Sequence, residues 1–555
     1  MFTKTESRQI ISCIIIWIIV PTASASATEP NITFIQPVQN VECYDFFEVI
    51  IKMAPPLQGN PFTEVNVSGE FGPSGRTMNK VDGFCDSNNG SIYRIRFMPE
   101  EPGKYEYTIR LNSSGLDAKK TGVFEAQKSK RKGIVRTDPE YPWHFIWSGS
   151  GEHFFWNSTT TYWLLGWQDE AIIRESLNRL ALLKVNRIRV ALNGRTRDGM
   201  RWKEPNVMPS GKFQYRLEPW PAAHPDDVEN PDYNVDRFNI EHFRKCERML
   251  AEAARLGIQV SLIFYLDGED KGVDPFGKEK MGETDEQRYY RYVVARMAAY
   301  ENVMWDVTNE WHLFRNEKWV EKMGNLINQC DPYNHLISVH GREIFPFRKS
   351  PWCDFAMYQC WDEHGGYSFM LKNRREQEKT GRPMPQVNEE YGYEDHYPYP
   401  WGEGRRWPAR TADNRRRLAW EMTMAGGYQT TGERADVKGY GGWITGWGND
   451  EMIMLQGYAR MMNFFTSVDW WTAEPAPELV MGNARCLASP GRIYLVYLPK
   501  GGTTQVKLED GQYNAKWYNP REGAWSQIDN AATGLWTTPS PPDEQDWGIL
   551  IESKK

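Results

Sequence analysis

The sequence predicts an α/β protein in which a (β/α)8 TIM barrel is flanked by an N-terminal and a C-terminal β-sandwich. Three patterns indicate this fold class. Short alternating strands occupy residues 28–127, apolar strands alternate with amphipathic helices over residues 128–472, and strand patterns return over residues 473–555. A chain of 555 residues also exceeds what one ordinary hydrophobic core supports, so several domains are expected.

The composition excludes several classes of protein. Hydrophobic residues make up 40% and charged residues 25% of the chain, which excludes a disordered tail and a multi-span membrane protein. Lys and Arg number 66 against 73 Asp and Glu, so no basic excess indicates nucleic acid as a partner. Aromatic residues reach 14%, which fits either Trp-rich cores or clefts that stack on sugar rings.

Residues 1–27 have the order of a secretory signal peptide. Lys4 and Arg8 precede the apolar run Ile10–Val20, and small residues follow as far as Ala27. The apolar run has 11 residues, fewer than the ~20 that cross a bilayer, and an uncleaved anchor is the alternative. We therefore expect a secreted or periplasmic protein with no membrane span after the signal is removed.

Residues 28–127 predict an antiparallel β-sandwich. Its strand-like runs include Phe46–Ile51, Ser91–Phe97 and Tyr105–Ile109, in which apolar residues recur along short segments. Turn signals such as Gly72-Pro73 and Pro102-Gly103 separate the runs. Regular short strands cut by turns are typical of a sandwich.

Residues 128–472 predict the barrel. Candidate strands begin near positions 154, 186, 259, 303, 336, 355, 385 and 427, and helical periodicity fills segments between them, as in Asn239–Gly257. Eight strands with intervening helices fit a (β/α)8 barrel with insertions. The long segment Asn193–Pro231 is expected to form a loop above the active face.

Residues 473–555 predict a C-terminal β-sandwich, on the strand-like runs Gly491–Leu498, Ala515–Tyr518 and Trp547–Ile551. The cysteines do not form a disulfide scaffold, although Cys43 and Cys85 could pair.

The first chemical signal is a strand that ends in Asn309-Glu310. Alternation places Trp305 and Val307 toward the outer helices, and it places Asp306 and Glu310 toward the barrel axis. Barrel active sites form at the carboxyl ends of the strands, so Glu310 is a candidate catalytic residue at the fourth strand. The alternative is that Glu310 only caps a helix.

The second signal is Gln386–Gly392, a strand that ends in two glutamates. Alternation from Val387 turns Glu390 inward and Glu389 outward, so we interpret Glu389 as a supporting residue or a surface ion pair. The distance of 80 residues from Glu310 to Glu390 corresponds to three βα units of a barrel. Glu390 is therefore the candidate at the seventh strand.

Two inward carboxylates on opposed strands are what hydrolysis of a glycosidic bond requires. One carboxyl group must donate a proton to the leaving oxygen while the other is ionised, and a separation of ~5–5.5 Å gives retention. Arg189 has inward parity on the second strand, where its guanidinium would hold Glu390 ionised. A structural ion pair is the alternative for Arg189.

Other polar and aromatic residues could contact a sugar. His340 and Tyr358 are candidate hydrogen-bond donors to the substrate or to the nucleophile, or else satisfied polar groups of the core. Trp163, Trp361, Trp443 and Trp447 follow strands or lie in Gly-rich loops, where they could stack on sugar rings or else belong to the core. Trp443 in Gly441-Gly442-Trp443 is expected to be exposed and to stack on a sugar ring.

These motifs resemble those of the clan A glycoside hydrolases. The resemblance rests on Asn309-Glu310, on Glu390-Tyr391-Gly392 and on Asn186-x-x-Arg189 at the second strand. More narrowly, residues 154–163 resemble the opening of apiosidase-like barrels, and Glu390-x-x-Tyr393-Glu394 resembles their seventh-strand motif.

Both flanking regions are also similar to known modules. Phe97–Gly103 is similar to the immunoglobulin-like module of unknown function that precedes such barrels. Tyr497–Gly502 and Trp517–Arg521 are similar to a module named for collagen binding, a name that carries no activity. Together these resemblances cover nearly all of the mature chain.

The resemblance implies Glu310 as acid/base, Glu390 as nucleophile and Asn309 as the partner of the sugar 2-hydroxyl. This chain has Asn157-Ser158-Thr159 where many members have Gly-Asp-Thr. The sequence thus predicts a secreted retaining glycoside hydrolase that cleaves O-glycosidic bonds of plant or algal polysaccharides or oligosaccharides. No cofactor and no metal are expected. The alternative is a catalytically silent carbohydrate-binding barrel, against which the intact glutamate pair argues.

Overall fold

The computed structural model describes Met1 and residues 30–195, 213–394, 410–432, 443–448, 454–531 and 533–554. Within these residues it confirms the predicted fold class, an eight-stranded parallel barrel sheet between antiparallel sheets at both ends. The predicted signal peptide lies outside the described residues except for Met1. Among the helices of the described part, none has the length and apolarity that crossing a membrane requires.

Two sheets form the N-terminal β-sandwich. Its strands are β1 (Asn31–Ile35), β2 (Asn40–Glu42), β3 (Phe47–Ala54), β4 (Asn66–Pro73), β5 (Asn79–Asp82), β6 (Phe84–Cys85), β7 (Ile92–Phe97), β8 (Gly103–Ser113) and β9 (Leu116–Gln127). The sheet orders are β1-β3-β7-β6 and β2-β9-β8-β4-β5. Cys43 and Cys85 are buried free thiols, so the possible disulfide between them is not formed.

The barrel follows a small antiparallel sheet. The strands of this region are β10 (Val135–Thr137), β11 (Phe145–Trp147), β12 (His153–Phe154), β13 (Ser158–Thr160), β14 (Arg187–Ala191), β15 (Gly194–Arg195), β16 (Arg216–Leu217), β17 (Gln259–Ile263), β18 (Val303–Asp306), β19 (Ile337–Ser338), β20 (Ala356–Gln359), β21 (Gln386–Glu390) and β22 (Tyr428–Thr431). The barrel order is β19-β18-β17-β14-β13-β22-β21-β20, so β18 and β21 are its fourth and seventh strands.

Seven helices of the described residues accompany the barrel strands. They are α1 (Glu170–Leu182), α2 (Ile240–Arg255), α3 (Thr284–Met297), α4 (Glu317–Cys330), α5 (Tyr367–Glu378), α6 (Ala412–Met424) and α7 (Met454–Phe465). The side chains of Asp169, Asn239, Asn316 and Thr411 accept from first-turn amides of α1, α2, α4 and α6, so each of these helices begins at a capping residue.

The first barrel strand begins later than the sequence predicts. Phe154 belongs to β12, and the barrel strand starts at Ser158. The apolar run misled the prediction because Trp156 packs beneath the barrel instead of within a strand. Its ring N–H donates to Thr430 Oγ1 at 2.9 Å, and the Arg187 guanidinium lies 4.3 Å from its ring centroid.

Buried ion pairs join the N-terminal sandwich to the barrel. Arg96 Nη1, from β7, lies 2.6 Å from Glu247 Oε1 of α2. Arg296, from α3, lies 2.8 Å from the same Glu247 oxygen and 2.8 Å from Asp86 Oδ1. These charges connect the last strands of one sheet to two barrel helices.

The C-terminal β-sandwich packs beside α6. Its strands are β23 (Glu474–Pro475), β24 (Arg485–Ser489), β25 (Ile493–Leu498), β26 (Gln505–Leu508), β27 (Tyr513–Asn519), β28 (Ala524–Ala531), β29 (Gly534–Thr537) and β30 (Trp547–Ser553). The sheet orders are β23-β24-β25-β30-β27-β28 and β26-β29. Arg416 Nη2 of α6 lies 2.7 Å from the buried Asp546 Oδ1, which ties this sandwich to the barrel.

Candidate active site

Glu310 lies just beyond the carboxyl end of β18. Its φ of 42° is in the left-handed region, which is uncommon for residues other than glycine and tends to occur at functional positions. The chain then enters a 3-10 turn over Trp311–Leu313, and the Glu310 side chain is half-buried. Asn309 Nδ2 donates to Glu310 Oε2 at 3.3 Å, which orients this carboxylate.

Glu390 is the last residue of β21 and is only 6% exposed. The Tyr162 hydroxyl donates to its Oε2 at 3.3 Å, and His340 Nε2 lies 3.8 Å from the same oxygen. Burial raises the pKa of Glu390, while the charge of Arg189 and hydrogen bonds from Tyr393 and Tyr162 lower it. The effect expected of Arg189 is therefore present, but burial outweighs it.

Arg189 connects the surroundings of the two glutamates. Its Nη1 donates to the Tyr162 hydroxyl at 2.8 Å, and that hydroxyl donates onward to Glu390. Its Nη2 donates to Asn309 Oδ1 at 3.2 Å, so the Asn309 amide nitrogen is turned toward Glu310. One fully buried guanidinium thus orients a hydrogen-bond donor toward each glutamate. The alternation of side chains along β14 predicts only that Arg189 points inward. The structure shows that it also orients hydrogen-bond donors toward both glutamates.

Glu389 lies inside the barrel, although alternation predicts an outward position, so of the two interpretations the structure favours a supporting residue over a surface ion pair. It is fully buried, forms an ion pair with Arg187 and lies 3.4 Å from Arg189 Nε. The reason is a register shift between β20 and β21 that leaves Glu389 without a pairing partner on β20. A bulge of this kind interrupts the alternation, so that Glu389 enters the interior while Glu390 stays at the mouth.

His340 is fully buried at the end of β19. Its backbone N–H donates to Asp306 Oδ1 at 3.3 Å, and Asp306 Oδ2 accepts from Arg189 Nη2 at 2.6 Å. Burial, together with the nearby charge of Arg189, lowers the pKa of His340 well below its usual value. The ring is therefore neutral, and within the described part of the chain neither ring nitrogen has a hydrogen-bond partner.

Two predicted substrate contacts are buried in the core. Tyr358 is fully buried, donates to Gln386 Oε1 at 2.5 Å and accepts from Arg348 Nη1 at 3.0 Å, so its hydroxyl is engaged in the core. Trp443 is also fully buried, with the Arg179 guanidinium 4.7 Å from its ring centroid. The predicted exposure of Trp443 is wrong, because its ring packs against α1 instead of facing solvent.

Three carboxylates lie together around Glu310. Oxygen atoms of Asp267, Glu269 and Glu310 lie within 4.8 Å of one another, a spacing that could hold a metal ion. The three carboxylates concentrate negative charge at this side of the site. Asp267 also raises the pKa of Glu390, which shows that this group and the second glutamate are within electrostatic reach.

Two tyrosines beside Glu390 have no individual role in the sequence-based prediction. Tyr162 and Tyr393 are almost fully buried, and burial raises the pKa of each well above the usual range. Both follow the carboxyl end of a barrel strand, which is the signal that would have identified them.

Trp361, like Trp447, differs from the fully buried Trp163 and Trp443. Its ring is half-buried and lies 5.9 Å from that of Tyr393, whereas Trp163 is fully buried. The Arg410 guanidinium covers one face at 4.6 Å from the ring centroid. Trp361 therefore lies next to Tyr393, one of the residues around Glu390, and part of its surface is accessible.

The segment Asn157-Ser158-Thr159, which differs from the Gly-Asp-Thr of many family members, lies deep in the barrel. Ser158 is fully buried, and its Oγ accepts from Arg187 Nη1 at 3.2 Å. An aspartate at this position would meet the cation that Glu389 neutralises here. The departure thus concerns charge balance beneath the site and does not add or remove a group beside Glu390.

Three family models match the chain. The model described as "Apiosidase-like, catalytic domain" matches residues 144–432, just over half of the 555 residues. A domain of unknown function, DUF5060, matches residues 40–112, and the "Putative collagen-binding domain of a collagenase" matches residues 475–552. No curated protein gives a significant match to this sequence.

Solved structures share the fold. A "putative glycoside hydrolase" from Bacteroides vulgatus is 20% identical with a TM-score of 0.75, over 93% of this chain and 100% of that one. A glycoside hydrolase of family 5 from the same organism is 16% identical with a TM-score of 0.58, over 76% of this chain and 94% of that one. At identities this low, the structural matches show only a shared architecture.

Proposed function

Because the chain belongs to the apiosidase-like family of catalytic domains, we propose that it is a secreted retaining glycoside hydrolase. Its substrates are O-glycosidic bonds of plant or algal polysaccharides or oligosaccharides. The single observation that carries the proposal is the linkage of Glu310 and Glu390 through Arg189. Two carboxylates at the mouth of one barrel, each with its own oriented donor, are the groups that this reaction needs.

In the proposed mechanism Glu390 is the nucleophile. Its carboxylate attacks the anomeric carbon and forms a glycosyl-enzyme, while the Tyr162 hydroxyl at 3.3 Å stabilises the ionised form. Burial raises the pKa of Glu390, so its charge is poorly solvated before attack. The neutral ring of His340, whose Nε2 lies 3.8 Å from Glu390 Oε2, is placed to donate a hydrogen bond to a bound sugar.

Glu310 is the proposed acid and base. It donates a proton to the leaving oxygen, and it then takes a proton from the water that hydrolyses the glycosyl-enzyme. The carboxylates of Asp267 and Glu269 lie within 4.8 Å of this group and surround it with negative charge. Asn309, held by Arg189, is placed to bond the 2-hydroxyl of the sugar.

The test begins with a panel of aryl glycosides and of plant and algal polysaccharides. We expect wild-type protein to hydrolyse one member, and Glu310→Ala and Glu390→Ala to lose that activity, whereas the surface variant Glu378→Ala retains it. NMR of the first-formed product should show the anomeric configuration of the substrate. Hydrolysis that persists in Glu390→Ala would contradict the assignment of Glu390 as the nucleophile.

Further measurements separate the remaining parts of the proposal. Azide should restore turnover of an activated aryl glycoside in Glu390→Ala and give a glycosyl azide of inverted configuration. Binding of one glycan without any turnover would instead favour the carbohydrate-binding barrel. Secretion is tested separately, by N-terminal sequencing of exported protein, with cleavage expected after Ala27.

A further inference from the structure

Two residues at the mouth of the barrel have a left-handed backbone conformation. Asp267, in the loop after β17, has a φ of 51°, and Glu310, after β18, has a φ of 42°. Neither residue is a glycine, so each conformation costs free energy and persists only where the surrounding structure holds it. Carboxylate oxygens of the two residues lie within 4.8 Å of each other. The contacts that join these two loops therefore decide where both carboxylates lie.

Arg315 joins the loop after β17 to the turn after β18. Its backbone N–H donates to the Trp311 carbonyl at 2.8 Å, at the end of the 3-10 turn. Its guanidinium donates from Nη1 to Asp274 Oδ2 at 2.7 Å and from Nη2 to Glu286 Oε1 at 2.9 Å. Asp274 lies in the same loop as Asp267, and Glu286 lies in the first turn of α3. One side chain, in a residue that is only 7% exposed, thus contacts both structures.

Tyr265 closes a circuit of hydrogen bonds around Glu310. Its hydroxyl donates to Glu286 Oε1 at 3.1 Å, and this oxygen also accepts from Arg315. Its backbone carbonyl accepts from the N–H of Asn309, the residue before Glu310, at 3.0 Å. The chain before Glu310 is therefore held through Tyr265, and the chain after it is held through Arg315. Both connections meet at Glu286.

Aromatic rings enclose the Arg315 guanidinium. It lies 4.6 Å from the ring centroid of Phe314 and 5.0 Å from that of Trp319. Trp319 Nε1 donates to Glu286 Oε2 at 2.8 Å, so the fully buried carboxylate that accepts from Arg315 is also fixed through its other oxygen. A planar guanidinium that bonds two carboxylates and packs on two rings has a defined orientation, which a flexible ammonium group does not reproduce.

We propose that Arg315 is a positioning residue for the acid/base: it holds Glu310, together with the neighbouring Asp267, where a proton can reach the leaving oxygen. This inference rests on the proposed glycosidase function. Arg315 acts through the backbone around Glu310 and through the loop that contains Asp267, so its substitution displaces the two carboxylates without removing them. A displaced proton donor costs most rate where the leaving group needs protonation.

The test compares two leaving groups in Arg315→Lys. The substrates are the phenyl and the 2,4-dinitrophenyl glycoside of the sugar that the wild-type protein hydrolyses, because phenolate needs a proton from the acid whereas dinitrophenolate leaves without one. We expect kcat/KM to fall about tenfold for the phenyl glycoside and less than about twofold for the dinitrophenyl glycoside. Asp274→Asn keeps the buried pair of Arg315 with Glu286, so it should fold and show the same pattern more weakly.

The matched control is Arg296→Lys. Arg296 is also buried between two carboxylates, those of Asp86 and Glu247, but it lies at the junction of the N-terminal sandwich and the barrel. This variant should be less stable in urea, while the ratio of its two kcat/KM values should equal that of the wild-type protein.

Two results in Arg315→Lys and Asp274→Asn would overturn the inference: equal losses on both substrates, or no loss on either. Glu310→Ala is measured beside them, and it should lose the phenyl glycoside far more than the dinitrophenyl glycoside. If Glu310→Ala loses both substrates equally, the acid/base assignment fails and this inference fails with it. If only Glu310→Ala distinguishes the two leaving groups, the acid/base assignment stands and the role of Arg315 is refuted.

Discussion

The Tyr162 hydroxyl donates to Glu390 Oε2 at 3.3 Å while it accepts from Arg189 Nη1 at 2.8 Å. Tyr162 therefore transmits the position of a buried cation to a buried carboxylate. The phenol cannot act as a base here, because burial raises its pKa well above the usual range. Its effect is to stabilise the ionised form of Glu390.

The first prediction concerns the pH dependence of hydrolysis in Tyr162→Phe. The nucleophile must be ionised, so activity is lost as the pH falls through the pKa of Glu390, which burial has raised above 4.5. The Tyr162 hydrogen bond lowers this pKa, so its removal raises the pKa further. The acidic limb of the kcat/KM profile should move to higher pH.

The control for this shift is Tyr290→Phe. Tyr290 is also fully buried, but its hydroxyl donates to the Val307 carbonyl at 2.8 Å and does not contact Glu390. The Tyr290→Phe variant should be less stable than wild type, but the acidic limb of its kcat/KM profile should not move. An unchanged limb in Tyr162→Phe would contradict the assigned role of this hydroxyl.

A second prediction separates the two adjacent glutamates by stability. Glu389→Gln leaves Arg187 and Arg189 without their shared buried carboxylate, which should cost about 3–5 kcal/mol of unfolding free energy. Glu390→Gln replaces a carboxylate whose charge is destabilised by burial, so it should abolish hydrolysis with little loss of stability. Urea denaturation of both variants measures the difference. Equal stability of the two would refute the assignment.

The sequence predicts the positions of most barrel strands because each is a short apolar run between helical segments. It also predicts that the side chains of Arg189 on β14 and Asp306 on β18 point into the barrel. In the structure these two side chains form an ion pair at 2.6 Å. It fails for Glu389, because alternation assumes a regular ladder and the bulge in β21 depends on pairing with β20. Local pattern cannot reveal a register shift that only tertiary pairing creates.

Trp443 was misjudged for a different reason. Glycines before a tryptophan indicate a loop, but they do not say what packs onto the loop. In the structure Arg179 from α1 covers the ring, a contact between residues far apart in sequence. The charge network around Arg189 was predicted in part, since parity gives the direction of a side chain but not which of several polar neighbours it bonds.

A third prediction compares Trp361 with Trp443. Trp361 is half-buried beside Tyr393, so Trp361→Ala should raise KM about tenfold, corresponding to ~1.4 kcal/mol of lost binding, with a smaller effect on kcat. Trp443 is fully buried, so Trp443→Phe should lower the melting temperature and leave KM unchanged. Steady-state kinetics on the hydrolysed panel member, with calorimetry, checks both. A KM effect in Trp443→Phe alone would reverse the assignment of the accessible ring.

A fourth prediction concerns the ion pairs between the N-terminal sandwich and the barrel. Glu247 holds Arg96 at 2.6 Å and Arg296 at 2.8 Å, and all three side chains are nearly buried. Glu247→Gln leaves two buried guanidinium groups with fewer counter-charges, although Asp86 still lies 2.8 Å from Arg296 and Glu48 lies 2.7 Å from Arg96. We expect a loss of about 3 kcal/mol in unfolding free energy, at the lower end for a broken buried pair.

The matched control for Glu247→Gln is Glu101→Gln. Glu101 pairs with Arg76 at 2.9 Å, but both side chains are about two-thirds exposed, so its loss should cost no more than ~1 kcal/mol. The same denaturation measurement applied to both variants separates burial from ion pairing as the source of the effect. If Glu247→Gln is as mild as Glu101→Gln, water must reach the junction, and the two regions are held together by apolar contacts such as those of Phe46 with Tyr300.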